Sequence, residues 1–332
     1  MPTYSNSADL PISIAVFLAT DNYVPNEDIL SATQLIKPLR KLILEHRLRN
    51  NPPAGIIPVS IDILTMMKSR KGTAVHEGIE HAWNDKARRD KGLLALGYPE
   101  KSLDRFVVNV EPEDLYDDDI PIYTERFVER ELDGYWFGGT ADFICQGRLE
   151  DFKNTSTYSY GDKGKLRNYQ LQGSIYRWAE PKIITEDVMS IIEMYDDWTA
   201  GKSYQKGYPP RPIMKLDVPL LTPRATETFI RNKMKLIQEQ IDLPEDEIDH
   251  CTDEDLWRKA DSYKYFTKPT NVKAKSVHST FEEARLAQIN NGGTGEVRKV
   301  KGKAVACNFC EARVICSQYK SLVANQEIDV KD

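Results

Sequence analysis

The chain predicts a mixed α/β fold, on three observations. Segments with helical period flank a run of three segments in which apolar and polar residues alternate. Two-residue turn signals, Asp133-Gly134 and Gln146-Gly147, separate those three segments. A cluster of three cysteines late in the chain adds a C-terminal element whose composition points to a metal.

Taken in order, DILSATQLIKPLRKLILEHRLRN (28–50) predicts a helix with Ser31 as N-cap and Pro38 forcing a kink or a restart. Together with the short apolar patch in MPTYSNSADLPISIAVFLATDNY (1–23) it makes an N-terminal helical segment, 1–60. Acidic Asp9 precedes that patch and no basic region leads into it, which argues against a secretory signal and for a cytoplasmic protein. RKGTAVHEGIEHAWNDKARRDKG (70–92) predicts a second helix, apolar at Val75, Ile79 and Ala82, with Gly92 placed to end it. An acidic loop follows. Then 122–132, 135–145 and 148–156 predict an antiparallel meander. Helical period returns at 165–180, a strand at 187–199, a Gly/Pro/Tyr-rich loop at 201–212 and a charged helix at 223–241. The expected organisation is 1–60, a core at 61–215, and a helical and cysteine-bearing region at 216–332.

No run of about 18 apolar residues exists, so no membrane-spanning helix is expected. The net charge of −6 argues against indiscriminate coating of nucleic acid but leaves local basic surfaces open. Basic runs stand at 86–91, 163–167 and 297–303.

Charges in the meander need a reason. Residues two apart on a strand share a face, so Asp151 and Lys153 point the same way while Phe152 points into the core. A tight turn at Gln146-Gly147 brings Asp142 beside Asp151. Two neighbouring carboxylates repel unless a cation stands between them. Lys153 could neutralise one of them; a divalent ion explains the set better, and hard oxygen donors suit Mg²⁺ or Mn²⁺. Gly138-Gly139 would let a backbone or a phosphate approach closely. On the following helix Gln172 and Tyr176 share a face, placed to orient the site or a phosphate backbone. Ordinary solvent-facing charges and a core tyrosine are the competing account.

Gly139-x-x-Asp142, Asp151-x-Lys153 and Gln172-x-x-x-Tyr176 together resemble the PD-(D/E)XK nuclease core, in its RecB-like branch, which includes AddB-like, CRISPR-associated and phage nucleases. GTAVHEGIE supplies Gly72, His76 and Glu80 in the spacing of that branch's upstream metal-binding histidine motif. His81 lacks the preceding glycine pattern. The resemblance covers roughly residues 31–200. It implies a restriction-endonuclease-like mixed sheet flanked by helices. It also implies metal ligation by His76, Asp142, Asp151 and the Phe152 carbonyl, with Lys153 assisting the hydrolytic water. Glu125, on the first strand, is an additional acidic residue or a plain surface charge. The implied activity is that of a Mg-dependent deoxyribonuclease, an exonuclease of recombination or repair, commonly phage-encoded and so in the host cytoplasm. DNA would be its substrate and a single-strand annealing protein its partner. A non-catalytic DNA-binding or scaffold protein that keeps the fold is the alternative.

CNFCEARVIC places Cys307, Cys310 and Cys316 in a C-x₂-C-x₅-C array. A soft-metal site needs a fourth ligand, for which Cys251 is preferred over Cys145 and His250. The triplet is similar to that of iron–sulfur-stapled RecB-like nucleases, which implies a [4Fe–4S] cluster. Those proteins carry a cysteine upstream of the core and this chain carries none there, so Zn²⁺ and free thiols stay open.

Overall fold

The computed structural model describes residues 4–20, 28–52 and 61–329; the rest of the expected N-terminal segment, 21–27 and 53–60 included, lies outside the described residues. The chain divides into two compact units, residues 1–36 with 57–232 and residues 37–56 with 233–332. Residues 37–56 thus group with the C-terminal part.

The first elements are β1 (Tyr4–Ser5), α1 (Ile12–Ala19), β2 (Ile29–Ser31), α2 (Ala32–Leu35), α3 (Leu39–Asn50) and β3 (Ile61–Asp62). Ser31 caps α2: its hydroxyl accepts from the Gln34 amide at 3.2 Å while the Gln34 side chain accepts from the Ser31 amide at 2.9 Å. Pro38 stands between α2 and α3, so the chain restarts there as expected. Next come α4 (Met67–Asn84) and α5 (Lys86–Ala95). The single helix expected at 70–92 is therefore two. Asp85 ends α4 and caps α5, accepting from the Arg88 amide at 3.2 Å, and Gly92 lies inside α5 rather than at its end.

The first unit is built on a seven-stranded mixed sheet. Its further strands are β4 (Phe106–Val108), β5 (Ile120–Leu132), β6 (Tyr135–Cys145), β7 (Arg148–Thr155), β8 (Val188–Tyr195) and β9 (Ile213–Pro219), with α6 (Leu166–Ala179) between β7 and β8. The order is β4-β5-β6-β7-β8-β9, with β2 paired parallel to β6. Pairs β5–β6 and β6–β7 are antiparallel, β7–β8 is parallel across α6, and β8–β9 is antiparallel. Both meander turns have two residues at positive φ, Asp133 with Gly134 and Gln146 with Gly147. That backbone matches the right-handed twist of the strands and locks their register. α6 buries Leu171, Ile175 and Trp178, and the Trp178 ring meets that of Phe137 at 6.3 Å. Each such side chain contributes about 1.5–3 kcal/mol of burial.

The division between the units falls inside α7 (Pro223–Gln240). The second unit adds β10 (Ser262–Phe266), β11 (Ser276–His278), α8 (Phe281–Asn290), β12 (Glu296–Val300) and α9 (Ser317–Ala324). Strands β11-β10-β12 form a three-stranded antiparallel sheet. Two small apolar clusters hold the remainder, one on Ile43, Leu44, Ile248 and Ala312, the other on Leu256, Ala304, Leu322 and Ile328. Among the described residues no helix is long and apolar enough to cross a membrane.

Candidate metal centre and cysteine cluster

The two tight turns decide what stands where. Glu125 falls between the pairs Thr124↔Phe143 and Arg126↔Ala141, hence opposite Asp142. One step beyond Phe143↔Glu150, Asp142 stands beside Asp151. Three carboxylates from β5, β6 and β7 therefore form one row across the sheet. Glu125 has φ of 44°, an uncommon conformation for a residue with a side chain, held here in mid-strand.

α4 places His76 over this row. Its Nδ1 lies 3.3 Å from Glu125 Oε1 and 3.6 Å from Asp142 Oδ1, and its Nε2 lies 3.2 Å from the Phe152 carbonyl. The hydrogen bond to Glu125 and the neighbouring carboxylates raise the His76 pKa above its ordinary value, against the effect of burial. Ligand atoms of His76, Glu125 and Asp142 all lie within 4.8 Å of one another. The Phe152 ring, expected in the core, is half-buried against the rings of His76, at 5.8 Å, and Phe143, at 6.1 Å. α4 is tied to β5 by Asn84, whose side-chain oxygen accepts from Thr124 Oγ1 at 3.1 Å. Glu80 accepts from the Asn84 side-chain amide and is not in the cluster; His81 is exposed on the same helix.

Asp142 accepts the Phe152 amide at 2.9 Å. Its pKa is pushed up to about 7, first by burial and next by the charge of Asp151. Asp151 is 2% exposed. Its Oδ1 accepts from Gln172 Nε2 at 3.1 Å. Its Oδ2 forms an ion pair with Lys153 Nζ at 2.5 Å. A cation fits a row of three carboxylates with an imidazole over it. The donor set of oxygens and one imidazole suits Mg²⁺ or Mn²⁺.

Gln172 reaches Asp151 from α6, as its spacing suggested. Tyr176 does not face outward toward a phosphate backbone. It is 5% exposed, and the Gln172 amide lies 3.4 Å from its hydroxyl. The glycine pair serves the chain's own packing rather than a phosphate. A Cβ at Gly139 would lie 3.0 Å from the Tyr176 ring, and one at Gly138 only 2.0 Å from the Val128 carbonyl. Tyr169 was not anticipated. It stands one turn before Gln172, with Lys153 Nζ 5.9 Å from its ring centre, and burial raises its pKa to about 12.

In the second unit Cys251, Cys307, Cys310 and Cys316 gather. Cys251 and Cys307 pack on the Leu256 cluster, Cys310 and Cys316 on the Ile43 cluster. Burial, Asp255 and then the other three thiols raise Cys251 to about 12; burial, Cys310 and Cys316 raise Cys307 to about 11. His250 is exposed. Cys145 lies in the first unit, where burial and Glu150 raise its pKa. Arg40, 1% exposed, donates to the Ile248 carbonyl at 2.6 Å, to Ser317 Oγ at 3.0 Å and to Cys316 Sγ at 3.4 Å, and pairs with Glu245. Among the described residues no three cysteine sulfurs lie within 4.8 Å of one another.

No protein-family model matches the chain and no curated protein matches it. It is similar to a solved structure described as "Crystal structure of SSO0001", with a TM-score of 0.36 and 16% identity over 65% of this chain and 79% of that one.

Proposed function

We propose that the chain is a divalent-metal-dependent deoxyribonuclease with a PD-(D/E)XK core, acting as an exonuclease. The observation that carries this reading is the row Glu125–Asp142–Asp151, capped by His76 and flanked by the Lys153 ammonium. His76, Glu125, Asp142, Asp151 and the Phe152 carbonyl would hold the ion. When bound, it supplies a Lewis acid for a phosphoryl oxygen and lowers the pKa of water. Gln172 fixes the Asp151 carboxylate in rotation. Lys153 delivers a positive charge where negative charge grows on phosphorus, and its ammonium can orient the attacking water.

The segment between β7 and α6 favours a polymeric substrate. Tyr158 is 96% exposed, and Lys165 and Arg167 are exposed at the start of α6. An aromatic platform beside cations suits a strand with stacked bases. Cys251, Cys307, Cys310 and Cys316 would hold a [4Fe–4S] cluster that staples the second unit, with Zn²⁺ as the smaller alternative. Recombination or repair, alongside a strand-annealing protein, is the setting that the motif resemblance suggests.

The test is digestion of end-labelled linear duplex DNA and of closed circular DNA in Mg²⁺ or Mn²⁺. The linear substrate should be degraded and the circle spared, and both Asp151→Ala and Lys153→Ala should lose the activity. Variants that digest DNA as the wild type does would refute the site.

A further inference from the structure

Residues 262–303 carry nine lysines and arginines against three acidic residues, in a chain that carries 45 against 51 overall. The segment folds as one ββαβ element in the second unit. α8 covers one side of the three-stranded sheet: the Tyr263 ring meets Phe281 at 6.0 Å, Tyr265 is fully buried, and Gln288 donates to the Gly295 carbonyl at 2.7 Å. Alternation puts Lys264 on the other side, opposite Val277 on β11 and Arg298 on β12.

Arg285, on α8, donates to the Gln288 side chain, and the other eight cations fall into two groups. Lys299, Lys301 and Lys303 pair with Asp261, Glu327 and Asp329, and Arg298 is engaged by Glu296 and by the Phe266 ring at 4.5 Å. Lys264, Lys268, Lys273 and Lys275 have no acidic partner among the described residues. The last three sit on the loop joining β10 to β11 and are exposed, around Val272, which is 96% exposed. That loop is held in shape: the Lys275 amide donates to the Tyr265 carbonyl at 2.8 Å, the Asn271 side chain to Thr267 Oγ1 at 3.0 Å, and Arg298 to the Pro269 carbonyl. Like charges fixed close together on a short loop repel one another, and neighbouring acids ordinarily relieve this. Here none does, so the loop is complementary to a regularly spaced polyanion.

We propose that the β10–β11 loop is a duplex-DNA clamp that grips backbone phosphates through Lys268, Lys273 and Lys275, with Lys264 behind them. The choice of DNA among polyanions rests on the nuclease reading; the loop's charge and order do not. The clamp reads no sequence, because it offers cations and no side chain shaped for a base edge.

The test measures binding of the full-length protein to a short fluorescein-labelled random duplex in EDTA, over a range of salt concentrations. Wild type, a triple Lys→Gln variant (K268Q, K273Q, K275Q) and a triple Lys→Arg variant are compared, each with its melting curve. The Gln variant should weaken binding at least about tenfold and lower the salt slope by about 3, one per lost phosphate contact. The Arg variant should keep both. An unchanged slope in the Gln variant, or an equal loss in the Arg variant, overturns the clamp. If the Gln variant loses its slope while wild type hydrolyses no DNA, the nuclease reading fails and the clamp stands. If wild type hydrolyses DNA and the Gln variant binds unaltered, the clamp fails and the nuclease reading stands.

Discussion

The carboxylate row and the cysteine cluster solve the same problem, gathering groups that repel each other when charged, in opposite ways. The row is built by regular structure. Two tight turns fix the register of β5, β6 and β7, and alternation then leaves Glu125, Asp142 and Asp151 no choice of neighbour. The cysteines come from stretches outside the long strands and helices, and their carriers are two small apolar clusters and one buried arginine. A site set by ladder hydrogen bonds is preorganised without its ligand. A site set by loops over small clusters depends on its ligand for order. Metal removal should therefore cost the first unit its activity and the second its structure.

The largest expected effect is catalytic. Asp151→Ala and Lys153→Ala should each lower single-turnover DNA hydrolysis by about 10²–10³-fold or more, with a melting temperature near that of wild type. Near-wild-type rates in either would place the chemistry elsewhere. The contrasting effect is structural. Cys251→Ser or Cys307→Ser should strip the bound iron or zinc, read by elemental analysis, and make the second unit susceptible to proteolysis. Cys145→Ser should leave metal content unchanged, and loss of metal in that variant would reverse the assignment.

Effects on the groups that position the ligands should be smaller. Gln172→Ala leaves Asp151 free to rotate and should cost about 10–100-fold in rate, the size seen when outer partners of metal ligands are removed. Glu125→Gly removes a carboxylate from the row and also relieves the positive φ. It should slow hydrolysis yet raise metal-free stability by about 1 kcal/mol in urea unfolding. A loss of stability would show that the strained conformation is not a cost.

The smallest effect separates the row from an ordinary sheet surface. Asp142 is pushed up to about 7 from 3.8, and His76 is raised above 6.5. Both groups bind protons more tightly in the folded state. The stability they contribute is complete below the unfolded values and is lost as pH rises through the folded ones. Metal-free protein should melt at a lower temperature at pH 8 than at pH 5, Mg²⁺ should recover the difference, and Asp142→Asn should flatten the profile. A metal-free melting temperature that rises toward pH 8 would contradict the assigned shifts.

Much of the row was legible because turn chemistry and strand period are local. Asp133-Gly134 and Gln146-Gly147 define the meander, and Asp142 beside Asp151 follows. Glu125 reads in the sequence as an additional acidic residue or a plain surface charge, and counting back from the first turn places it opposite Asp142. Tyr169 needed only the step of one helical turn from Gln172. The roles of Gly138, Gly139 and Tyr176 were not legible, because close packing between α6 and β6 is a tertiary fact with no spacing of its own. The break at Asp85 was masked by helical period continuing on both sides. Strand β9, pairing along β8, escaped notice because only Val218 on it is buried. Cys251 joins the C-terminal triplet by its position in the chain alone, because thiols drawn from loops carry no spacing that sets their geometry.

The central claim is that one divalent cation is gripped by the row, and an anomalous-difference map from crystals grown with Mn²⁺ tests it most directly. A single strong peak bounded by His76, Glu125, Asp142 and Asp151, absent from crystals of Asp142→Asn, is the expected result. A map without density there at saturating Mn²⁺, in protein that degrades DNA, would contradict the account.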